Sequence, residues 1–206
     1  MSELVAHGSA GAHLLEESAR LDSNPDGEVG SIISQAYARD ASHFLLVPKE
    51  VHFPDSVEEV VRIFHLAKVT REPVTFRSGG SSLSGQGVTR ATLLDTRKHF
   101  GRATVLDDGR RIRVEPGVTI RYANVLLQRY RNRLVPDPAS EIACTMGGAL
   151  ANNSSGMTCG TEFNAYKRLE SMVFVLPSGT VIDTSAPEAR DRSVSRSRKS
   201  IVDFCP

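Results

Sequence analysis

A loop rich in glycine and serine, Arg77–Gly85 (RSGGSSLSG), is the first segment that could do chemistry. Glycine lets the backbone turn several N–H groups toward one point, and the serine hydroxyls add further donors. These donors suit a pyrophosphate, because each hydrogen bond to a charged group contributes about 1.5–3 kcal/mol. The loop has neither the GK[ST] ending of a P-loop nor the GxGxxG pattern. Its composition alone is equally typical of an ordinary surface loop.

A second candidate segment runs from Pro136 to Gly156 and contains PDPAS and CTMGGALANNSSG. Small residues dominate after Met146, so a bulky group could lie close to the backbone. The amide side chains of Asn152 and Asn153 are available to hydrogen-bond such a group. A flat heterocycle fits this description. A tightly packed helix of small residues fits it too, and the segment taken alone favours the helix.

The elements that position these segments follow from local patterns. Pro73–Phe76 is a β-prone run that leads directly into the first loop. Ser56 and Glu59 have capping-box spacing, and apolar residues recur behind them at helical period, which predicts a strong helix. We also expect a helical stretch around Leu14–Leu21, a short helix over Glu28–Arg39, and a short strand over Phe44–Val47 that Pro48 ends.

Further along the chain, the turn sequence Asp107-Asp108-Gly109 predicts a hairpin between Ala103–Leu106 and Arg110–Glu115. Thr119 can cap a helix that runs to about Tyr130. Further strands are predicted over Thr92–Asp95, Ser171–Leu176 and Thr180–Asp183, and the last two form a second hairpin. Strands with interspersed helices predict the α+β class.

Composition narrows the class of partner. Lys+Arg (25) nearly cancels Asp+Glu (24), so no overall field attracts nucleic acid or anionic lipid, and a small molecule is expected instead. No apolar run approaches the ~20 residues of a membrane span, and the start of the chain lacks the pattern of a signal peptide. The three cysteines lack CxxC spacing. We therefore expect a cytoplasmic protein with reduced thiols.

The two candidate segments together carry a resemblance. RSGGSSLSGQ resembles the pyrophosphate loop of the FAD-linked oxidase domain, and PDPAS…CTMGGALANNSSG resembles its second flavin segment. The match extends from about Pro48, through PDSVEEVVRI, VEPGVTI and TEFNAYKRLESMVFVLPSGTVIDT, to about residue 184. The chain thus resembles the vanillyl-alcohol-oxidase superfamily, which has PCMH-type FAD-binding domains. It is most similar to the D-lactate, glycolate and D-2-hydroxyglutarate dehydrogenase branch.

The resemblance implies a C-terminally truncated, two-lobed PCMH-type FAD-binding domain of the α+β class. Its lobes would span about 41–115 and 116–184, after a lead of residues 1–40 and before a disordered tail of residues 185–206. The pyrophosphate would be wrapped by Arg77, Ser78, Gly79, Gly80, Ser81 and Ser82, with Gly85 and Gln86 continuing along FAD. Gly117 would lie at the lobe junction near the adenosine. The other side would be lined by Pro138, Ser140, Thr145, Gly147, Gly148, Asn152, Asn153 and Gly156.

Two departures from the family pattern limit what is implied. Some relatives tether the flavin through a histidine where this chain has Ser81, so FAD should be bound non-covalently. The family's substrate domain supplies the catalytic residues and any metal ligands, and none of these residues maps onto this chain. In a complete relative, a hydride passes from a D-2-hydroxy acid to flavin N5, and electrons leave to a quinone, a cytochrome or an iron–sulfur partner. The chain alone is therefore not expected to turn over substrate.

Three interpretations remain open at this stage. The first is the cofactor module of such an oxidoreductase, truncated by proteolysis or by a shift in reading frame near residue 186. The second is a non-catalytic remnant or assembly partner that retains the fold, with an open sheet edge that invites association. The third is a flavin-dependent reductase of the peptidoglycan-precursor type, which the run NAYKRLESMVFVLPSGTVIDT disfavours because it resembles the hydroxy-acid branch.

Overall fold

The computed structural model of the protein describes residues 31–158, 160 and 162–186, and the backbone of residues 202–204. The predicted helical stretch around Leu14–Leu21 and most of the predicted tail lie outside these residues. The described part combines three small sheets with short helices. The predicted α+β class is therefore confirmed.

A parallel sheet forms the first half of the fold. Its strands are β1 (Glu50–His52), β2 (Val74–Arg77) and β3 (Thr92–Asp95), in the order β1-β3-β2. Every residue of the central strand β3 is buried, which explains its apolar pair Leu93 and Leu94. The register pairs Arg77 with Asp95, so β2 and β3 end at the same edge of the sheet.

Two helices precede and connect these strands, α1 (Ile32–Ala36) and α2 (Val57–Thr70). The predicted cap of α2 is confirmed, because Ser56 Oγ accepts a hydrogen bond from the Glu59 N–H at 3.4 Å. Helix α1 ends at Ala36, before the predicted end at Arg39, and residues 28–30 of the predicted helix lie outside the described residues. Its start is set by Ser31, whose Oγ accepts from the Ser34 N–H at 3.1 Å.

The strand predicted over Phe44–Val47 is wrong. Strand β1 begins after Pro48 instead, and it pairs in parallel with β3. Phe44 and Leu45 are exposed, and the Leu46 N–H donates to the carbonyl of Ala38 at 3.0 Å rather than to a neighbouring strand. An apolar run alone does not make a strand when no partner strand lies beside it.

The second half begins with the predicted hairpin of β4 (Ala103–Leu106) and β5 (Arg111–Val114), which the structure confirms as an antiparallel pair. Helix α3 (Ile120–Gln128) follows, and Thr119 caps it as predicted. Helices α4 (Met146–Ala151) and α5 (Ala165–Arg168) come next. The second predicted hairpin is confirmed as β6 (Val173–Val175) with β7 (Val181–Asp183).

A final strand, β8 (Val202–Phe204), pairs antiparallel with β5. These three residues belong to the tail predicted to be disordered, so that prediction is wrong for them. Backbone pairing explains the difference, because β5 offers an edge that even a short run of β-prone residues can extend. The rest of the predicted tail after residue 186 lies outside the described residues.

An apolar core of buried residues lies in the second half of the fold. It joins Ile112 and Val114 of β5 to residues of α3, α4 and α5. The hairpin of β4 and β5 therefore packs with the helices that follow it. The predicted boundary between the two lobes, at residues 115 and 116, would separate residues on its two sides that pack together in this core.

Within the described part of the chain, none of the helices has the length and apolar character needed to cross a bilayer.

Candidate cofactor site

The glycine- and serine-rich loop leaves the parallel sheet at the end of β2. Gly80 and Gly85 adopt φ values of 63° and 77°, a left-handed conformation that favours glycine. Among the backbone hydrogen bonds between described residues, none uses the N–H of Gly79, Gly80, Ser81 or Ser82 as its donor. The loop therefore presents a run of backbone N–H donors to which the described residues offer no backbone acceptor.

The second segment is held against the start of α3. Thr119 and Thr145 form an isolated antiparallel bridge. On either side of it, the Ile120 N–H donates to the carbonyl of Cys144 at 3.3 Å, and the Met146 N–H donates to the carbonyl of Val118 at 2.8 Å. These bonds fix the entry into α4 relative to β5 and α3.

The loop and the second segment meet at Ser78 and Gly79. A β-carbon placed on Gly79 would overlap the carbonyl oxygen of Ala143 and would lie 3.0 Å from Cys144 Cα, so only glycine fits there. The hydroxyls of Ser78 and Thr145 hydrogen-bond each other. Thr145 is only 1% exposed, so this pair is largely shielded from water. The two predicted segments are thus in direct contact.

Two more predicted glycines allow close backbone approach beside this contact. A β-carbon on Gly117 would lie 2.5 Å from the carbonyl oxygens of both Thr96 and Phe100. Gly147 packs against Pro116, and its N–H donates to the carbonyl of Pro116 at 3.0 Å. The Pro116–Gly117 turn therefore joins the end of β3 to the start of α4.

Other predicted residues lie further from this contact. Gly85 packs on the ring of Phe44, and Gln86 accepts a hydrogen bond from the Ser82 hydroxyl. The side-chain oxygen of Asn153 accepts from the Tyr166 N–H at 3.0 Å, so it anchors α5. Gly156 packs tightly on Asp137.

Three remaining predicted residues sit at the ends of the second segment. The carbonyls of Pro138 and Ser140 accept hydrogen bonds within the turn that precedes Thr145. Asn152 is exposed at the end of α4, where its N–H donates to the carbonyl of Gly148 at 3.2 Å. These residues border the contact between the two segments without forming it.

Three residues at the contact were not predicted: Thr96, Pro116 and Ala143. Thr96 Oγ1 donates to Ser78 Oγ at 3.2 Å, and it is 7% exposed. A signal for Thr96 exists in the sequence, because parallel strands that follow one another bring their carboxyl ends to the same edge. Pro116 and Ala143 contribute backbone atoms, and residue type gives no signal for such contacts.

A family model described as an FAD binding domain matches residues 48–185, which is most of the described chain. The chain belongs to this FAD-binding family. The match includes the loop, the second segment and every sheet residue between them. The family predicted from the two motifs is therefore confirmed, and FAD is the cofactor of the domain.

Two curated relatives of the FAD-binding domain are similar to it in sequence. The D-2-hydroxyglutarate dehydrogenase of Haemophilus influenzae is 27% identical over 158 residues, covering 75% of this chain and 15% of the relative. The glycolate oxidase subunit GlcD of Escherichia coli K12 is 32% identical over 114 residues, covering 54% of this chain and 23% of the relative. The chain thus spans less than a quarter of the length of either relative.

The fold of the FAD-binding domain is also found in solved structures. The 6-hydroxy-D-nicotine oxidase of Arthrobacter nicotinovorans superposes with a TM-score of 0.70 at 18% identity. The superposition covers 85% of this chain and 40% of the oxidase. At this identity the comparison establishes the architecture alone.

The arrangement fits the phosphate part of FAD. A pyrophosphate needs several donors on a flexible backbone, and the N–H groups of Gly79–Ser82 have no backbone acceptor among the described residues. In the second segment, Gly148 differs from Gly147, which packs against Pro116. A β-carbon on Gly148 would meet only Thr145 Oγ1, at 3.8 Å, so that face is open.

Two titratable groups at or near this contact, Cys144 and Arg77, have pKa values shifted by burial. Burial raises the pKa of the Cys144 thiol above its ordinary value, so the thiol stays protonated at neutral pH. Burial likewise lowers the pKa of Arg77, although the charge of Asp40 opposes the shift. Across the described residues, His, Cys, Asp and Glu side chains form no group of three that could hold a metal ion.

Proposed function

We propose that this chain is the FAD-binding module of an oxidoreductase that oxidises D-2-hydroxy acids of the lactate, glycolate or 2-hydroxyglutarate type. The observation that carries the proposal is the contact between the two flavin segments, where Ser78 and Gly79 meet Ala143–Thr145. This contact sets a run of free backbone donors beside a surface of small residues.

The backbone N–H groups of Gly79, Gly80, Ser81 and Ser82 would hold the pyrophosphate of FAD. Gly147 and Gly148, with Asn152 beyond them, would line the flavin side, and Gly117 would lie toward the adenosine. Bound FAD supplies the redox chemistry, as an acceptor of the hydride from the hydroxyl-bearing carbon. The residues of this chain bind and orient the cofactor, and we assign none of them a catalytic role.

The substrate class is proposed from the relatives, whose names specify D-2-hydroxyglutarate and glycolate as their substrates. Because the chain spans less than a quarter of their length, turnover is proposed for a whole protein that supplies a substrate domain. Electrons would then pass to a quinone, a cytochrome or an iron–sulfur partner. We place this whole protein in the cytoplasm.

The first test is a titration of the purified full chain with FAD, followed by flavin absorbance. We expect a bound flavin spectrum, and we expect denaturation to release all of the flavin because Ser81 offers no covalent attachment. ADP should compete with FAD, since it carries the pyrophosphate. A folded chain that ignores both ligands would contradict the proposal and favour a non-catalytic remnant or assembly partner.

The substrate class needs a separate test on a complete homologous enzyme that carries this domain. We expect D-2-hydroxy acids to bleach its flavin absorbance and nicotinamide cofactors to leave it unchanged. The opposite result would contradict the hydroxy-acid assignment and favour a nicotinamide-dependent reductase with the same cofactor domain.

A further inference from the structure

The segment from Tyr37 to Phe44, here called the supporting segment, lies between α1 and β1. It precedes residues 48–185, which the family model matches. The Ala41 N–H donates to the carbonyl of Gly80 at 2.9 Å. At the other end of the loop, a β-carbon on Gly85 would lie 2.5 Å from Phe44 Cδ2. The supporting segment therefore contacts the loop at both of its left-handed glycines.

Arg77 links the supporting segment to the loop. Its Nη1 donates to the carbonyl of Tyr37 at 3.1 Å and to the carbonyl of Gly87 at 3.3 Å. Its guanidinium also lies 5.4 Å from the centre of the Tyr37 ring. A β-carbon on Gly80 would be only 2.7 Å from Nη2. The guanidinium thus fills the space beneath the loop, and its Nη1 group donates to protein carbonyls.

Asp40 supplies the opposite charge. Its Oδ1 accepts from the Ser42 N–H at 2.8 Å and from the Ser42 hydroxyl. Asp40 Oδ2 and Arg77 Nε are both shielded from solvent, and neither forms a hydrogen bond within the described part of the chain. A β-carbon on Gly87 would lie 3.6 Å from both Asp40 Oδ2 and Arg77 Cδ, so the two side chains are close together and their opposite charges attract.

The ionisation of Asp40 agrees with this arrangement. Burial acts to raise the pKa of Asp40, but the hydrogen bonds from Ser42, the nearby backbone of Gly87 and the charge of Arg77 outweigh it and hold the pKa below its ordinary value. The carboxylate is therefore charged at neutral pH. Replacing it with an amide would remove the stronger of the two carboxylate charges that act on the guanidinium, the other being Asp95.

Tyr37 fixes the supporting segment to the sheet. Its hydroxyl donates to Asp95 Oδ2 at 2.6 Å, and Asp95 is 1% exposed at the end of β3. Burial and this hydrogen bond raise the pKa of Tyr37, so the hydroxyl remains a donor. The supporting segment and the loop are thus attached to the same sheet edge.

We propose that Asp40 is a positioning residue of the FAD site, which holds Arg77 beneath Gly80 and so keeps the loop in the conformation that exposes its backbone donors. This inference rests on the proposed FAD site, and it extends that site beyond the residues matched by the family model. Asp40 acts through Arg77 and does not touch the cofactor itself.

The test compares the full chain with Asp40→Asn, which keeps an acceptor for Ser42 and removes the charge. Hydrogen exchange of residues 79–86 is measured without ligand, and affinities are measured for FAD, ADP and riboflavin. Loss of a charge-assisted contact should raise loop exchange about tenfold and weaken FAD and ADP about tenfold each. Riboflavin lacks the pyrophosphate, so its affinity should stay within about twofold.

Asp183→Asn is the matched control. Asp183 Oδ1 accepts from the Ser185 N–H at 2.8 Å and from its hydroxyl at 2.6 Å, which repeats the turn at Asp40 without Arg77 or the loop. We expect no change in loop exchange or ligand affinity. Ser42→Ala removes one bond to Asp40 and should act in the same direction as Asp40→Asn with a smaller effect. It carries the test if Asp40→Asn does not fold.

Two results would overturn the inference. Unchanged loop exchange in Asp40→Asn would show that the carboxylate does not position the loop. Equal losses of FAD, ADP and riboflavin would show a general loosening of the fold. If the wild-type chain binds no FAD, the proposed function fails by that result, whereas the exchange comparison still tests Asp40 on its own.

Discussion

Two glycine-rich segments meet in this domain, and their backbone N–H groups are used in opposite ways. In the loop after β2, Gly80 and Gly85 take left-handed conformations, and the N–H groups of Gly79–Ser82 have no protein acceptor among the described residues. In the second segment, the N–H groups of Met146 and Gly147 donate to the backbone around Pro116.

The difference separates two roles that composition alone does not distinguish. In the loop, Gly80 and Gly85 shape the backbone whose donors are available to a ligand, while Gly79 packs closely on Ala143. In the second segment, Gly147 allows close packing, and Met146, Ala149 and Leu150 beside it are buried in the core. Substitutions that affect one role and spare the other can test this division.

The largest effect is expected for Gly79→Ala, because the added β-carbon would overlap the Ala143 carbonyl and force the two segments apart. We expect the free energy of unfolding to fall by about 1–3 kcal/mol, which is the usual cost of overpacking a core, and FAD affinity to fall with it. Denaturant unfolding and FAD titration measure both. The control is Gly101→Ala, where no atom lies within 4 Å of the added carbon. Equal stability of the two variants would refute the contact.

A smaller effect is expected for Ser78→Ala, which breaks the hydroxyl contact with Thr145 and leaves a shielded hydroxyl with one partner fewer. Unfolding free energy should fall by about 1 kcal/mol. Ser84→Ala changes an exposed serine of the same loop and should leave stability unchanged. If both variants behave alike, Ser78 does not join the two segments.

Acid should weaken the sheet that carries the loop. A hydrogen bond with His52 is the main cause that lowers the pKa of Glu50 from 4.5 to about 2, and Thr92 adds a second bond of 2.7 Å. Because the folded-state pKa is lowered, the stabilisation is present above pH 4.5 and is lost as pH falls toward 2. Glu50→Gln should reduce the loss of unfolding free energy across this pH window by about 1 kcal/mol, a value lowered to allow for the partial exposure of Glu50. Glu162→Gln, at an exposed position, should keep the wild-type slope.

The smallest effect on stability, in the opposite direction, is expected for Gly148→Ala. The added carbon meets only Thr145 Oγ1 at 3.8 Å, and alanine favours a helix over glycine by about 0.5–1 kcal/mol. The variant should therefore be slightly more stable than the wild type. FAD affinity should nevertheless fall, because the methyl group would occupy the surface proposed for the flavin. Unchanged affinity would remove Gly148 from the proposed site.

Local chemistry made part of this fold predictable. Ser56 and Thr119 cap their helices because a serine or threonine hydroxyl satisfies a free N–H wherever a helix starts. The Asp107-Asp108-Gly109 turn required left-handed residues, and Asp107 and Asp108 have φ values of 48° and 52°. Helix caps and turns of this kind depend only on residues that are close together in the sequence, so the sequence predicts them directly.

Features that depend on distant partners were not predictable in this way. Strand β1 begins at Glu50 because β3 lies beside it, and the more apolar Phe44–Val47 has no such neighbour. The close approach of Gly79 to Ala143 involves a backbone carbonyl, which every residue type carries. Asp40 was likewise missed, because its partner Arg77 comes near only after the sheet has formed.

Because of the position of Cys144, thiol labelling can measure how often the contact between the two segments opens. Its backbone packs against Gly79, and the buried, protonated thiol should react slowly with alkylating reagents. Transient separation of the segments would expose the thiol and accelerate labelling. In a chain with Cys159 and Cys205 replaced by serine, the labelling rate would report how often this contact opens. The decrease in that rate on adding a ligand would report how strongly the ligand stabilises the contact.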